Sequence, residues 1–584
     1  MEKTIDYMLD VIRRIHHYDR WYNNSESQKT IALVETLMRE LGMVRVETLR
    51  FPSDGKINHG GWVMPLCWEA REGVLERLLP DGTKELICSY KDTPCSLMLY
   101  SHPADVTTQL ALPDEEDVKG KIILFSHKQL SMEESFKYLD RGAAGFLSSV
   151  LAGPYYGEPG FEYLEDVTQW CNYSLPLWDV PQKPFGFSLT PRQGKKLEEL
   201  LKSGTSVVLH ARVDTAMRSG TIPFITGVLP GETDEEILLT GHLFEEGAND
   251  NASGIAESLA VVRHLAGQKL KRSIRVAFTC EVRSYQAFLN NVKHIPHIAA
   301  GLNVDMVGID LKDRGWIQDP DVLTPNFSVA VLEKCLARQE LSAGVLHHPD
   351  NDLALCDPHF GVPMTLIEFA NDPNYHKSSD TPEKISKEFI TRTFNAVCEF
   401  TEYLANAGIN EVADLAETVC RYELEKSHFS GKGSARYLCT RAHKRLDSIL
   451  RLVPESDRPK AAEILEKYKK RFGESPEPYF SEIPGLPAGY PQRQYYGLFS
   501  FERYTDRREQ YPEIASLIRG WVAPVWVNYA MMLADGKHTA SEILSHLREA
   551  GFEIETELFK SLLEFMVSEK FMTILEEAAD SLCR

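Results

Sequence analysis

Ile31, Val34, Leu37, Met38 and Leu41 recur three and four residues apart, the spacing of one helix face, and Gly42 then stops the pattern. Val44 to Phe51 alternates as a strand, so the first residues, to about position 50, read as two helices and a strand. Residues 62 to about 215 carry short apolar runs broken by turns. Val118–Phe125 is a buried-strand run entered by a turn, and Arg141–Leu147 reads as helix end, turn and next strand. From Ile222 strands and helices alternate: strands at Ile237–Thr240, Ile274–Phe278, Gly301–Val307 and Met364–Phe369, helices at Ile255–Leu265 and Phe389–Leu404. That alternation predicts an α/β fold, a mixed, mostly parallel sheet with helices on both faces. Beyond Ala405 the chain is helical and charged to about Arg471. Gly473, Pro476, Pro478, Pro484, Gly485, Pro487, Gly489 and Pro491 then mark a linker or a wrapping loop. Trp521 to Ile574 has a helix, the turn Asp535–His538, two more helices and a short apolar tail, the outline of a winged-helix-like module.

A chain of 584 residues exceeds what one core supports. The expected units are 1–61 with 216–410, a β-rich insert at 62–215, a helical region and linker at 411–520, and the terminal module at 521–584. No stretch approaches the roughly 18 consecutive apolar residues of a membrane span, and the N-terminus lacks an apolar signal core. Eleven cysteines, with no Cys-x-x-Cys, suggest neither a disulfide framework nor a thiolate zinc site, so a cytoplasmic protein with free thiols is expected. The net charge of −21 opposes binding to nucleic acid or an anionic membrane and suits metal cations or an amine-bearing substrate. Between Asp535 and Arg584, Lys537, Arg548, Lys560, Lys570 and Arg584 stand against eleven acidic residues. A helix in a DNA groove needs a basic face, so the terminal module is expected to pack on a neighbour or to mediate a homo-oligomer.

Candidate chemistry gathers just past the predicted strands, where two-metal hydrolases carry imidazoles and carboxylates. His242 follows Ile237–Thr240 by one glycine, and Asp250 lies in the loop Gly247–Gly254 that opens the next helix. Glu281 follows Ile274–Phe278, Asp305 follows Leu302–Val304, and His376 follows Met364–Phe369 by a turn. Singly, each has an ordinary explanation: an Asp in a Gly- and Asn-rich loop is a turn or cap residue. Asp305 is the least ordinary, because Asp is unfavourable in a buried strand. Together the five suffice for two zinc ions if one carboxylate bridges.

Gly241–Gly254, Asn303–Gly308 and Tyr375–Pro382 resemble the co-catalytic zinc aminopeptidases, a family that includes bacterial leucyl aminopeptidases and glutamate carboxypeptidase II. The resemblance runs from Gly227 to about Leu404; Val118–Phe125, Arg141–Leu147 and Ser188–Val213 resemble the protease-associated domain inserted in many of them. It implies a zinc exopeptidase fold, with His242 and Asp305 on one zinc, Glu281 and His376 on the other, and Asp250 bridging. It also implies a cis peptide between Asp250 and Asn251, and a phenol at Tyr375 that donates to the tetrahedral oxyanion.

Two departures stand out. The family's His-x-Asp is here His242-Leu243-Phe244, with Glu245 or Glu246 as possible substitutes for the supporting carboxylate. The family's Glu-Glu, base then ligand, is here Cys280-Glu281, so Glu281 fills one role, ligand or base, and Cys280 stands at the base position. The expected function is zinc-dependent hydrolysis of small peptides or aminoacyl conjugates; the alternative is a catalytically impaired scaffold that binds a ligand or partner.

Overall fold

The computed structural model describes all residues except 1, 22–23, 171–178, 293–294, 296, 348–350, 431–432, 475–481, 521–522 and 580–584. Pro476, Pro478 and Trp521, which the pattern places in the linker and the terminal module, lie outside the described residues.

The apolar runs assemble into an eight-stranded mixed sheet. Four central strands, Arg272–Thr279, Thr233–His242, Ile298–Asp305 and Met364–Glu368, run parallel side by side. Val44–Ser53 and Gly220–Leu229 extend one edge antiparallel, and Arg314–Gln318 with Ser342–Leu346 complete the other. Strands buried on both faces read as continuous apolar runs, and alternate side chains here enter two different cores. Ile237, Leu239, Val276, Phe278 and Ile367 pack into one, beneath the helices Glu2–His16, Ala252–Leu265, Phe327–Arg338 and Lys387–Asn406. Leu238, Ala277 and Leu366 pack into the other, with the helix Arg283–Asn291. The helix Ser25–Glu40 ends where Gly42 takes φ 78°, and Met43 N–H donates to Met38 O at 3.1 Å, closing the helix end through a left-handed residue.

A second sheet of seven strands is built within residues 67–218, antiparallel at one side and parallel at the other. Its Thr190 caps the helix Pro191–Lys202 through a reciprocal bond with Gln193. The chain after residue 406 forms three helices, Val412–Ser430, Ala435–Ser448 and Arg458–Lys469, then wraps back. Tyr490–Arg493, within the Pro- and Gly-rich stretch, pairs antiparallel with Met572–Leu575, so that stretch supplies a strand to the terminal unit. The wrap is tied down by charge: fully buried Glu502 receives Arg283 Nη2 at 2.8 Å, and buried Asp357 receives Arg493 Nη2 at 2.5 Å. Among the described residues no helix is long and apolar enough to cross a membrane.

Candidate metal centre

The four central parallel strands deliver their carboxyl ends to one edge of the sheet, so His242, Asp305 and Glu368 are each the last residue of a strand. The strand that begins at Ile298 ends at Asp305 rather than running on to Val307, because Met306 turns the chain at φ 50°. Asp250 comes from the loop before the helix Ala252–Leu265, and the Asp250–Asn251 peptide is cis. Asp380 holds this loop, accepting from Asn249 N–H at 2.8 Å and Asp250 N–H at 3.1 Å. Asn249 in turn donates to Asp372 and accepts from Gly308 N–H. Gly247 is required here, since a Cβ would lie 2.0 Å from Asp380 Oδ2.

Asp250 sits between two imidazoles, each facing a different oxygen. Its Oδ1 lies 3.5 Å from His242 Nε2 and its Oδ2 lies 3.1 Å from His376 Nε2. Asp305 lies 3.3 Å from His242 Nε2, and Glu245 Oε2 lies 2.9 Å from His376 Nε2. Two groups of donor atoms close enough to hold an ion result: His242, Asp250 and Asp305, and Glu245, Asp250 and His376. Of the five residues singled out in the sequence, His242, Asp250, Asp305 and His376 are brought together. Glu281 belongs to neither group among the described residues, and Glu245 stands where it was expected. His242 Nδ1 donates to Phe244 O at 2.5 Å, so a backbone carbonyl orients the ring in place of the missing carboxylate.

The electrostatics favour cations. Burial would neutralise His242, yet Asp305, Glu281 and Asp250 hold its proton affinity well above the ordinary range. Burial, then Asp250 and Glu281, pushes Glu245 well up; burial, then Asp305 and Asp250, pushes Glu368 to about 8. Asp250 goes the other way: His376 and His242 overcome its burial and keep it ionised. Arg20 and Lys377, cations close by, direct N–H groups to the carbonyls of Leu243, Gly247 and Tyr375. Glu245 Oε2 and Asp305 Oδ1 remain buried without a well-formed hydrogen bond. Buried carboxylate oxygens that lack a full hydrogen bond are costly, and a mixed imidazole and carboxylate donor set fits zinc.

Tyr375 stacks on His376 with ring centroids 3.6 Å apart, and burial, then Asp250 and Glu245, pushes its phenol well above 10. Trp170, from the segment between the second sheet's strands Gly145–Ser148 and Phe185–Ser188, lies over the same imidazole at 4.2 Å, and its backbone N–H donates to His376 O. Cys280 is only 5% exposed and packs in the apolar core. A cavity of about 330 Å³ opens beside Asp250 and His376, walled by His16–Asp19, Asp92–Cys95 and Trp170. Glu368, Arg20 and Trp170 escaped the sequence reading as site residues, and Glu245 entered it only as a substitute for the carboxylate supporting His242. Glu368 carries the signal that marked Asp305, an acid closing an apolar run; Arg20 and Trp170 carry none.

The family described as a domain of unknown function (DUF4910) matches residues 22–407, two thirds of the chain. The chain belongs to this family. No curated protein matches it. Among solved structures, a Clostridium acetobutylicum protein of inferred peptidase function is 17% identical, with a TM-score of 0.51, covering 80% of this chain and 96% of that one. The zinc aminopeptidase BSAP from Bacillus subtilis is 16% identical, with a TM-score of 0.50, covering 69% of this chain and 95% of that one. These likenesses establish the zinc exopeptidase type of α/β fold.

Proposed function

We propose that the chain is a zinc-dependent, aminopeptidase-like hydrolase of small peptides or aminoacyl conjugates. The observation that carries this is Asp250, whose two oxygens face two imidazoles, each backed by a further buried carboxylate. His242, Asp250 and Asp305 would hold one ion, and His376 and Asp250 would share in holding the second. Zinc at such positions supplies Lewis acidity toward a carbonyl and toward water. The residues themselves do the rest. Asp250 stays ionised between the imidazoles, and Phe244 O fixes the His242 tautomer. Tyr375 keeps its proton near neutral pH, so its hydroxyl can donate to an oxyanion forming beside His376. The cavity of about 330 Å³ has room for a small substrate, with His16–Asp19 and Asp92–Cys95 among its walls.

One observation favours the second reading, a binding scaffold: the family's base position holds Cys280, packed in the core. Protein purified without chelators, measured for metal and assayed on aminoacyl amides and dipeptides, decides between them. The hydrolase reading expects up to two zinc ions per chain and turnover that chelation abolishes. Zinc fully bound without hydrolysis of any aminoacyl substrate would favour the scaffold, and no zinc uptake would sink the hydrolase reading.

A further inference from the structure

The two donor groups share Asp250 but draw their other members from different sources. His242 and Asp305 end neighbouring parallel strands, so the sheet itself spaces them. Glu245 stands three residues after His242 and is brought in by a turn: its φ is 102°, a left-handed value that non-glycine residues seldom adopt. The turn is pinned on three sides. Arg20, 2% exposed, donates Nε to Leu243 O at 2.9 Å and Nη2 to Gly247 O at 2.8 Å, while Phe244 O accepts a hydrogen bond from His242 Nδ1. Its counterpart His376 also has a left-handed φ, 55°. Such conformations persist where the surroundings over-determine them, and they cluster at functional sites. Their product here is a carboxylate oxygen 2.9 Å from one imidazole.

Glu281 is placed differently. It follows the strand Arg272–Thr279 into a tight turn, where Arg283 N–H donates to Glu281 O at 2.6 Å across Val282 at φ 56°. That turn leads directly into the helix Arg283–Asn291, which Glu502 anchors through Arg283. Glu281 is near enough for its charge to act on His242 and Glu245, yet its carboxylate joins neither donor group.

Resting on the two-ion reading above, we propose that Glu245, not Glu281, is the carboxylate ligand peculiar to the second ion, so that one turn, His242–Glu245, supplies a ligand to each ion. Each ion then has one imidazole, one carboxylate of its own and one oxygen of Asp250. Three protein ligands with a position left open is the arrangement of a catalytic zinc. Arg20 becomes a positioning residue for both ions, because it holds the turn by its carbonyls. Glu281 is left beside the site and outside the ligand set.

The test is zinc titration of the full chain after chelator treatment, read by calorimetry and by elemental analysis after gel filtration. The parent should take two ions. Glu245→Gln should take one, with the second weakened by more than the roughly 10–100-fold that losing a supporting residue costs. Glu281→Gln should keep two, each within about threefold of the parent. Arg20→Met should weaken both, by about tenfold, without changing the stoichiometry. If circular dichroism shows Glu245→Gln unfolded, Glu245→Asp and Glu281→Asp replace the pair: the first should weaken one ion and the second neither. Two ions of parental affinity in Glu245→Gln, or one ion in Glu281→Gln, overturn the assignment and leave the two-ion reading standing. A parent that takes up no zinc overturns both.

Discussion

Two buried clusters of carboxylates in this protein have similar donor spacing and opposite means of charge balance. At the strand ends, the ion-pair partners of Glu245, Asp250 and Asp305 are imidazoles; among the described residues no Arg or Lys bonds their carboxylates. Beyond the strand Arg314–Gln318, Asp319 and Asp321 are equally buried and also lie within ion-holding distance of a histidine, His347. There Arg445 Nη2 donates to Asp319 at 2.8 Å and its Nε to Glu423 at 2.6 Å. Arg441 does the same for Asp321 at 3.0 Å and Glu423 at 2.7 Å. Despite burial, the carboxylates Asp319 and Glu423 hold the Arg445 guanidinium well above its usual range. Two guanidinium groups would repel a metal ion, so this cluster locks the helices Val412–Ser430 and Ala435–Ser448 onto the sheet. Donor spacing alone does not make a metal site; in one cluster guanidinium groups bond the carboxylates directly, while at the other Arg20 and Lys377 bond backbone carbonyls and leave the carboxylates to the imidazoles.

The contrast can be broken most forcefully at Arg445. Arg445→Met leaves Asp319 and Glu423 buried and short of counter-charge, which should cost about 3–5 kcal/mol, read by denaturant unfolding. Zinc uptake at the strand ends should be unchanged. If zinc rescued the variant through Asp319, the lock would itself be a cation site. At the strand-end cluster the loss should fall on chemistry instead. Tyr375→Phe should lower kcat by about 10²–10³-fold with zinc stoichiometry and thermal midpoint intact. Adding zinc at about a hundred times its Kd should stabilise the parent by about 2.7 kcal/mol for each ion bound, and Arg445→Met by the same increment.

The smallest effect concerns pH. Glu368 is raised from 4.5 to about 8, so the metal-free folded state holds a proton that the unfolded chain releases. Its contribution to stability is full below 4.5 and is lost as pH rises through about 8. Glu368→Gln should therefore unfold later than the parent above pH 8 in the presence of chelator, with the difference gone at acid pH. An equal slope for both proteins would mean that the strand-end charges do not act on Glu368.

His242 and Asp305 are legible in the sequence because a strand buried on both faces must be a continuous apolar run, and a polar residue closing it must sit at the sheet edge. The Gly- and Asn-rich loop around Asp250 is legible for a local reason too: its glycines are needed for close approach, as Gly254 shows, where a Cβ would lie 2.1 Å from Val304 O. The sheet's class and the helices that cover it follow from the same short-range periods of two and 3.6 residues. The tertiary structure alone decided that Glu245 faces His376, since its direction depends on a left-handed turn pinned by Arg20, more than 220 residues away in sequence. It alone set Trp170 over His376, paired Tyr490–Arg493 with Met572–Leu575, and gave one acidic cluster its arginines while leaving the other without. Periodicity records which side of an element is buried. The conformation of a turn and the partner of a buried charge depend on distant segments, whose arrival no local pattern encodes.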